Sequence, residues 1–338
     1  MTHVPCFKAA PQRRALLAGL SLLALGLCAA PPAALAQDSA LAGKRLRFVV
    51  PFSPGGGVDG LARAVAEGLT KQAGVTVIVE NKPGAGGNIA ASYVAKTQND
   101  TLNLLITSVN HYANKVLFRN PGYEPYKDFT PVGYLSTFPY AFVVPSDSKF
   151  NSLSEVITTA RAQPGTVSWG FGGNGSLGHF LGVAMEQSEN IKGNPVAYRG
   201  GPDLLTAVGG KQVDMVIMTV QSSAPLIKQG RLKALAVAGN SRNKALPDVP
   251  SITESIPKYP SIQGYVALMA PADTPEPVLV ALHRELNKFL ISDEYKKRLE
   301  TDGSTAVIFP TVAATKAFFE KDGPQWEALT VKAGLKVE

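Results

Sequence analysis

The stretch RFVVPFSPGGGVDGLARAVAEGL, residues 47–69, decides the fold that we expect for this chain. It opens with a run rich in valine and phenylalanine, is interrupted by Pro54 and three glycines, and continues with apolar residues at Leu61, Val65 and Leu69. This pattern predicts a strand, a glycine loop and a helix. A helix N-terminus carries free N–H groups and a partial positive charge, and glycines let a ligand approach them. The stretch therefore predicts either an anion site or an ordinary turn that needs glycine for its backbone angles.

The same succession of strand, glycine loop and helix recurs along the chain, which predicts mainly parallel sheets. Further strands are predicted at 75–80, 102–107, 167–171, 213–219 and 232–238, and further glycine loops at 81–88 and 172–178. Ligands bind at the carboxyl ends of parallel strands, where such loops gather. Because Ser108, Asn110 and His111 follow the third strand, we expect them on the same rim as the glycine loops.

Two long extended segments, at 132–145 and 262–270, predict that the chain crosses from one lobe to a second lobe and back. The helical patterns after the second crossing are expected to return to the first lobe. The predicted fold class is α/β, with two lobes, each a mainly parallel sheet flanked by helices, joined by two hinge strands. Domain 1 is predicted at 43–140 and 264–338, and domain 2 at 141–263. Closure of such lobes around a ligand is a hinge motion.

Residues 1–36 have the pattern of a secretory signal peptide that is cleaved after Ala36. A basic segment precedes a long apolar run, and the small-x-small motif ALA follows at 34–36. The adjacent Arg13 and Arg14 leave twin-arginine export open beside the general route. No later apolar run approaches the roughly 20 residues of a membrane span, so we expect an exported protein without an anchor.

Charge and residue usage exclude several classes of function. The chain has a net charge of +7 at pH 7, and the predicted signal peptide holds three basic residues and no acidic one, so +4 would remain. This mild excess does not predict nucleic-acid binding. Both cysteines, Cys6 and Cys28, lie in the signal peptide, so we expect no disulfide or thiol chemistry. His111, His179 and His283 are too far apart for a zinc motif, and we expect neither a metal nor a cofactor.

Seven motifs in order carry a resemblance to a known family: PFSPGGGVD, VIVENKPGAGGN, YKDFTPVGYL, GNGS, YRGG, GGKQVDMV and ALPDVPSITES. Over about Gly43 to Val337 the chain resembles the Bug family of extracytoplasmic solute receptors, the binding components of tripartite tricarboxylate transporters. The resemblance implies a type II-like two-lobed periplasmic binding fold without catalysis. It also implies a small organic acid as ligand, integral-membrane transporter subunits as partners, a periplasmic location and a monomer.

The resemblance implies that a ligand carboxylate is held by the loop after the first strand, by the facing loop of the second domain and by the YRGG turn. The predicted ligand-binding residues in these segments are Phe52, Ser53, Pro54, Gly55, Gly56, Gly57, Asp59, Gly173, Asn174, Gly175, Ser176, Tyr198, Arg199 and Gly200. Two further residues on the rim, Asn88 and Ser108, complete the predicted set.

Two of these residues allow opposite interpretations. Asp59 is either a first-turn acid that favours the helix dipole or a contact to an ammonium or hydroxyl group of the ligand. Arg199 either takes a carboxylate in a bidentate pair or is a solvated arginine on a turn.

Relatives often have proline at Ser53, and many have aspartate or asparagine followed by Leu-Pro where this chain has Met218-Thr219-Val220-Gln221. The identity of the acid therefore stays open.

An alternative function comes from a different class of protein. Gly55, Gly57 and Gly60 satisfy the spacing GxGxxG between a strand and a helix, and Glu80 lies about 20 residues on, as in dinucleotide sites. The alternative is an exported NAD(P)-dependent oxidoreductase. Two prolines interrupt the loop where a Rossmann turn is tight, and no hydride-transfer motif is evident.

Overall fold

The computed structural model describes residues 40–97 and 101–335, together with residues 1 and 3. Apart from residues 1 and 3, the predicted signal peptide lies outside this part of the chain. From Leu41 onwards the described residues form one compact unit. None of the helices in the described part is long and apolar enough to cross a membrane.

The described residues form two five-stranded sheets. In chain order the strands are β1 (Arg45–Val50), β2 (Thr76–Asn81), β3 (Thr101–Thr107), β4 (Phe129–Phe138), β5 (Tyr140–Pro145), β6 (Ser168–Phe171), β7 (Asn194–Ala197), β8 (Met215–Thr219), β9 (Leu232–Val237) and β10 (Gly264–Pro271). The first sheet has the order β2-β1-β3-β10-β4, and the second has the order β7-β6-β8-β5-β9. The two lobes therefore repeat one arrangement.

Each sheet is mixed. β1 pairs in parallel with β2 and β3, and β6 pairs in parallel with β7 and β8. The pairs that involve β4, β5, β9 and β10 are antiparallel. Two neighbouring parallel strands need a crossover connection that brings the chain back to the end of the sheet where the first strand began. β4, β5 and β10 instead lie at the places where the chain passes from one sheet to the other. The expected two-lobed α/β fold is confirmed, and its parallel part is the three-stranded half of each sheet.

Helices flank both sheets. They are α1 (Gly57–Ala73), α2 (Asn88–Lys96), α3 (Asn110–Leu117), α4 (Leu153–Ala162), α5 (Leu177–Glu189), α6 (Gly201–Gly209), α7 (Val220–Lys228), α8 (Ile252–Ser255), α9 (Glu276–Leu290), α10 (Asp293–Glu300) and α11 (Val312–Lys332). Ser152 and Thr311 cap α4 and α11 through their hydroxyl groups. The sequence pattern does not predict α3, α7 or α10, because each is short and begins within two residues of the preceding element.

The topology places two loops opposite each other. The chain leaves β1 towards β2 on one side and later returns to β3 on the other side, and β6 has the same relation to β7 and β8. In open α/β sheets a ligand crevice forms outside the carboxyl ends of the strands at such a reversal. The loops after β1 and β6, at 51–56 and 172–176, both begin there.

The chain crosses between the sheets at two places. Only Pro139 separates β4 in the first sheet from β5 in the second. The return runs through 238–263 and ends at β10. The predicted domain boundaries fall at these crossings, and the division at residues 140/141 and 263/264 stays a prediction.

We expected His111 on the rim, but this prediction is wrong. His111 lies in the core of the first lobe. It is 1% exposed in α3, its ring stacks on Tyr123 at a centroid distance of 5.1 Å, and Phe129 meets it edge-on at 4.9 Å. The helix α3, which the sequence pattern does not reveal, turns this side chain inward. Burial lowers the pKa of His111 to about 3, so the ring is neutral at physiological pH.

We expect the buried His111 to make the protein sensitive to acid. An unfolded histidine titrates near 6.5, so between pH 6.5 and about 3 the unfolded state binds one more proton at this site than the folded state. The free energy of unfolding should therefore fall with falling pH in this window, by about 1.4 kcal/mol per pH unit from this group. Urea unfolding at pH 7 and pH 4.5 would measure the loss, and His111→Phe should lose less than the wild type. An equal loss in both proteins would contradict this account.

Candidate functional site

A cavity of about 360 Å³ lies at the carboxyl ends of the parallel strands. The loops after β1 and β2 in the first lobe and after β6 and β7 in the second form most of its wall. The lining residues are Pro51, Phe52, Gly84, Ala85, Gly86, Gly87, Gly172, Gly173, Ala197, Tyr198, Arg199 and Asp203. A ligand in this cavity would contact both lobes at once.

Four residues of the predicted set line the cavity, namely Phe52, Gly173, Tyr198 and Arg199. The structure brings the remaining residues into the neighbouring loops and helix ends but not into the cavity wall; these are Ser53, Pro54, Gly55, Gly56, Gly57, Asp59, Asn88, Ser108, Asn174, Gly175, Ser176 and Gly200. The predicted set of ligand contacts therefore stays a prediction, with a core of four residues.

The second half of the loop after β1 contacts the second lobe. A Cβ atom placed on Gly200 would lie 3.6 Å from the backbone nitrogen of Ser53. One placed on Gly56 would lie 3.8 Å from the backbone nitrogen of Gly201. The backbones of the two lobes thus approach closely beside the cavity.

Gly57, the first residue of α1, makes a closer approach than Gly56 or Gly200. A Cβ atom there would lie 2.9 Å from each of three atoms: Thr219 Oγ1 and Gln221 Oε1 of the second lobe and Phe138 Cζ of the first. A side chain at this position would therefore require one or more of these three side chains to move.

Gly86 and Gly175 form a second contact between the lobes. A Cβ atom on Gly86, whose φ is +61°, would lie 2.8 Å from the carbonyl oxygen of Asn174. A Cβ atom on Gly175 would lie 2.5 Å from Leu117 Cδ1 and 2.8 Å from Asn114 Oδ1. Glycine is therefore needed on both sides of this contact, and Gly86 also lines the cavity.

Asp59 holds the loop after β1 in place. Its carboxylate accepts hydrogen bonds from the backbone N–H of Gly55 (2.9 Å), from Arg63 Nε (3.0 Å) and from Asn81 Nδ2 (2.8 Å), and Asn81 also donates to the carbonyl of Phe52. Burial alone would raise the pKa of Asp59, but these hydrogen bonds outweigh it and keep the pKa below its usual value. Asp59 is 3% exposed and acts on the loop, which favours the interpretation of a helix-terminus acid over that of a ligand contact.

The glycine loop after β2 is fixed from behind by two asparagines. The side-chain amides of Asn110 and Asn114 both donate to the carbonyl of Gly86, and Asn114 also donates to Asn88 Oδ1 at 2.6 Å. Asn88 and Ser108 are buried, with 6% and 8% exposure. The segment after the third strand, although it begins at the same rim, contributes no residue to the cavity wall.

The loop after β6 is fixed by His179. Its Nδ1 accepts a hydrogen bond from the N–H of Gly175 at 3.3 Å, and its ring stacks on Phe171 at a centroid distance of 4.2 Å. Burial lowers the pKa of His179 to about 4, so the ring stays neutral and can accept this bond. Ser176 caps α5 by accepting from the N–H of His179. Both residues shape the loop.

Three helix N-termini meet where the lobes touch. α1 begins at Gly57, α6 begins at Gly201 and α7 begins at Val220, next to the contact of Gly57 with Thr219 and Gln221. Each N-terminus carries a partial positive charge of about half a unit. The first-turn carboxylates of Asp59 and Asp203 lie at the N-termini of α1 and α6, whereas the first turn of α7 has no acidic residue.

Two charged residues, Arg199 and Asp203, lie in the cavity wall. Sequence analysis predicted Arg199 but missed Asp203 and the loop Gly84–Gly87. The glycine-rich sequence at 81–88 could have indicated that residues 84–87 line the cavity. Asp203 gave no signal, because an acid in the first turn of a helix is ordinary.

The residues expected to bind a dinucleotide are engaged in other contacts. Glu80, the expected ribose-binding acid, pairs with Lys82 Nζ at 2.6 Å and with Arg47 Nε at 3.2 Å. The N-terminus of α1 is covered by the second lobe at Gly57. Among the described residues, no group of three or more His, Cys, Asp or Glu side chains could hold a metal ion.

Comparison with solved structures gives close matches over nearly the full length of each. The periplasmic binding protein BugD is 30% identical and has a TM-score of 0.82, with 88% of this chain and 99% of BugD covered. An R. palustris protein solved with adipate is 29% identical with a TM-score of 0.82, at the same coverage. MatC from Rhodopseudomonas palustris, solved with bound malate, is 26% identical with a TM-score of 0.78, covering 86% of this chain and 99% of MatC.

Residues 61–335 match the family described as tripartite tricarboxylate transporter family receptor. Members of this family are binding receptors of the periplasm and not enzymes, so the oxidoreductase alternative is not supported. From this match over most of its length, the chain belongs to the tripartite tricarboxylate transporter receptors, the Bug-type extracytoplasmic solute receptors.

Proposed function

We propose that this receptor captures a small carboxylic acid between its two lobes and delivers it to integral-membrane subunits of a tripartite transporter. The observation that carries the proposal is the cavity between the lobes with Arg199 in its wall. Within residues 40–97 and 101–335, the Arg199 side chain forms no hydrogen bond or ion pair. A guanidinium group without a protein partner is suited to a bidentate pair with a ligand carboxylate.

The size and composition of the cavity support a small ligand. Its volume of about 360 Å³ lies near the lower end of the range of roughly 300–1,000 Å³ for small-molecule sites. Glycines form much of the wall, so a ligand can approach the backbone closely. Two similar proteins were solved with the dicarboxylates adipate and malate, which supports an organic acid as the ligand class here.

The helix N-termini offer a reason why an anion would close the lobes. The first-turn carboxylates of Asp59 and Asp203 offset the positive ends of α1 and α6, but the first turn of α7 has no acidic residue and keeps its partial positive charge. When the lobes are closed, a ligand carboxylate lies near helix N-termini from both lobes, so it binds the closed form better than the open form. A ligand can shift such an equilibrium only by its difference in affinity for the two forms.

We further propose that the chain reaches the periplasm through the predicted signal peptide, with cleavage after Ala36. The pattern of residues 1–36 and the periplasmic setting of the family support this route.

Binding of an organic acid should stabilise the protein and should depend on Arg199. A thermal-melt screen of mono-, di- and tricarboxylates would detect the ligand. A ligand at a concentration of 100 times its dissociation constant adds about 2.7 kcal/mol to the free energy of unfolding. By calorimetry, Arg199→Ala should weaken binding about ten- to hundredfold, because a charged hydrogen bond contributes roughly 1.5–3 kcal/mol. Arg231→Ala, at an exposed arginine of the same lobe, is the control. Absence of a shift with every acid would refute the proposal, and equal binding by Arg199→Ala would remove Arg199 from the site.

Closure of the lobes should depend on Gly57. In Gly57→Ala the added Cβ atom would overlap Thr219 and Gln221, and such overpacking costs about 1–3 kcal/mol. We expect ligand affinity, measured by calorimetry, to fall roughly five- to hundredfold. Gly209→Ala is a matched control, because a Cβ atom at this helical glycine would have no neighbour within 4 Å. Unchanged affinity in Gly57→Ala would show that the ligand does not require this contact.

Delivery to the membrane can be tested in proteoliposomes that contain the two integral-membrane subunits. Uptake of the radiolabelled acid found in the screen should require the added mature receptor and should fall with Arg199→Ala in proportion to the lost occupancy. Uptake that is independent of the receptor would contradict the proposed role in transport while leaving binding intact.

A further inference from the structure

The two lobes carry matched aspartates in corresponding helices. α1 and α6 each follow an N-cap glycine, Gly56 and Gly200, and each has an aspartate as its third residue, Asp59 and Asp203. At this position a carboxylate favours the helix dipole and can also accept a hydrogen bond from the N-cap N–H. The two aspartates therefore start from the same local role, and differences in their contacts point to other roles.

Asp59 is fully used by the protein. Three donors occupy its two oxygens, and the residue is 3% exposed. It lies outside the cavity wall. No carboxylate oxygen of Asp59 is left for a ligand.

Asp203 is in the opposite situation. In the part of the chain that the structure describes, its carboxylate has neither a hydrogen bond nor an ion pair, and the N–H of Gly200 does not donate to it. It is half-buried in the cavity wall that also contains Arg199, yet no ion pair joins the two. The wall thus presents one cation and one anion, and neither is satisfied by the protein.

This combination selects among carboxylic acids. An ionised carboxylate in the wall repels a second ligand carboxylate placed next to it and, being only an acceptor, requires a donor. A site with an unpaired acceptor also discriminates against ligands that leave it unpaired.

Resting on the proposed function, we propose that Asp203 is a specificity-determining residue, and that the ligand carries a hydrogen-bond donor, an ammonium or a hydroxyl group, in addition to the carboxylate that pairs with Arg199. The receptor is then specific for amino or hydroxy acids over plain acids of the same carbon skeleton. The donor contacts Asp203 while the carboxylate contacts Arg199, so the two charged residues orient the ligand in the cavity.

The test uses acids that differ only at one carbon. Succinate, malate and aspartate share a four-carbon skeleton with hydrogen, hydroxyl or ammonium at C2. Propionate, lactate and alanine repeat the series with three carbons, and glutarate, 2-hydroxyglutarate and glutamate with five. Calorimetric affinities for each series are compared in the wild type, in Asp203→Asn and in Asp248→Asn, a control at an exposed aspartate of the same lobe.

In the series that binds, the wild type should prefer the ammonium or hydroxyl acid over the plain acid about ten- to hundredfold. Whichever of the two acids binds more tightly, the ammonium acid or the hydroxyl acid, identifies the donor group of the ligand. Asp203→Asn should lose most of this preference, chiefly through weaker binding of the donor-bearing acid, and Asp248→Asn should keep it. Thermal melts without ligand check that Asp203→Asn is folded.

The outcomes separate this inference from the proposed function. Equal or tighter binding of the plain acid by the wild type, or an unchanged preference in folded Asp203→Asn, overturns the role of Asp203 and leaves an acid receptor. Failure of every acid to bind the wild type overturns both.

Discussion

The hydrogen-bonded group of Asp59, Asn81 and Arg63 holds the first ligand loop, and the geometry of the cleft depends on it. Asn81 ends β2, Arg63 lies in α1, and Asp59 ties both to the N–H of Gly55. A loop rich in glycine has many accessible conformations, and a buried carboxylate with three donors selects one of them. The positions of the backbone N–H groups in this loop therefore depend on side chains outside it.

With its loops fixed, the closed arrangement sets a balance between two effects. Glycines at Gly57, Gly86 and Gly175 remove the steric obstacle to contact between the lobes. The N-termini of three helices meet at the same place, and only α1 and α6 have an acidic residue in the first turn. Contact between the lobes is thus sterically permitted, and the N-terminus of α7 is left with a partial positive charge that favours an anion nearby.

Much of this arrangement follows from local sequence. The strand, glycine loop and helix at 47–69 predict the position of the crevice, because parallel strands bring their carboxyl ends together. The pattern does not indicate which half of the loop lines the cavity, since that depends on contacts with Gly200 and Gly201 of the other lobe. For the same reason it does not distinguish Asp59 from Asp203: both are first-turn acids, and only tertiary neighbours make one a support and leave the other unpaired. His111 was placed wrongly because the short helix α3 has no boundary signal after β3.

The link at Pro139 has a consequence for the entropy of binding. Proline has a fixed φ angle, and its carbonyl accepts a hydrogen bond from Val220 at 2.9 Å, so this single-residue connection has little freedom of its own. A second connection runs through 238–263, and two bodies held at two points can move easily only by rotation about the line between those points. A receptor that closes by such a rotation restricts one soft motion instead of ordering a flexible segment, so little of the interaction energy with a ligand would be offset by lost conformational freedom.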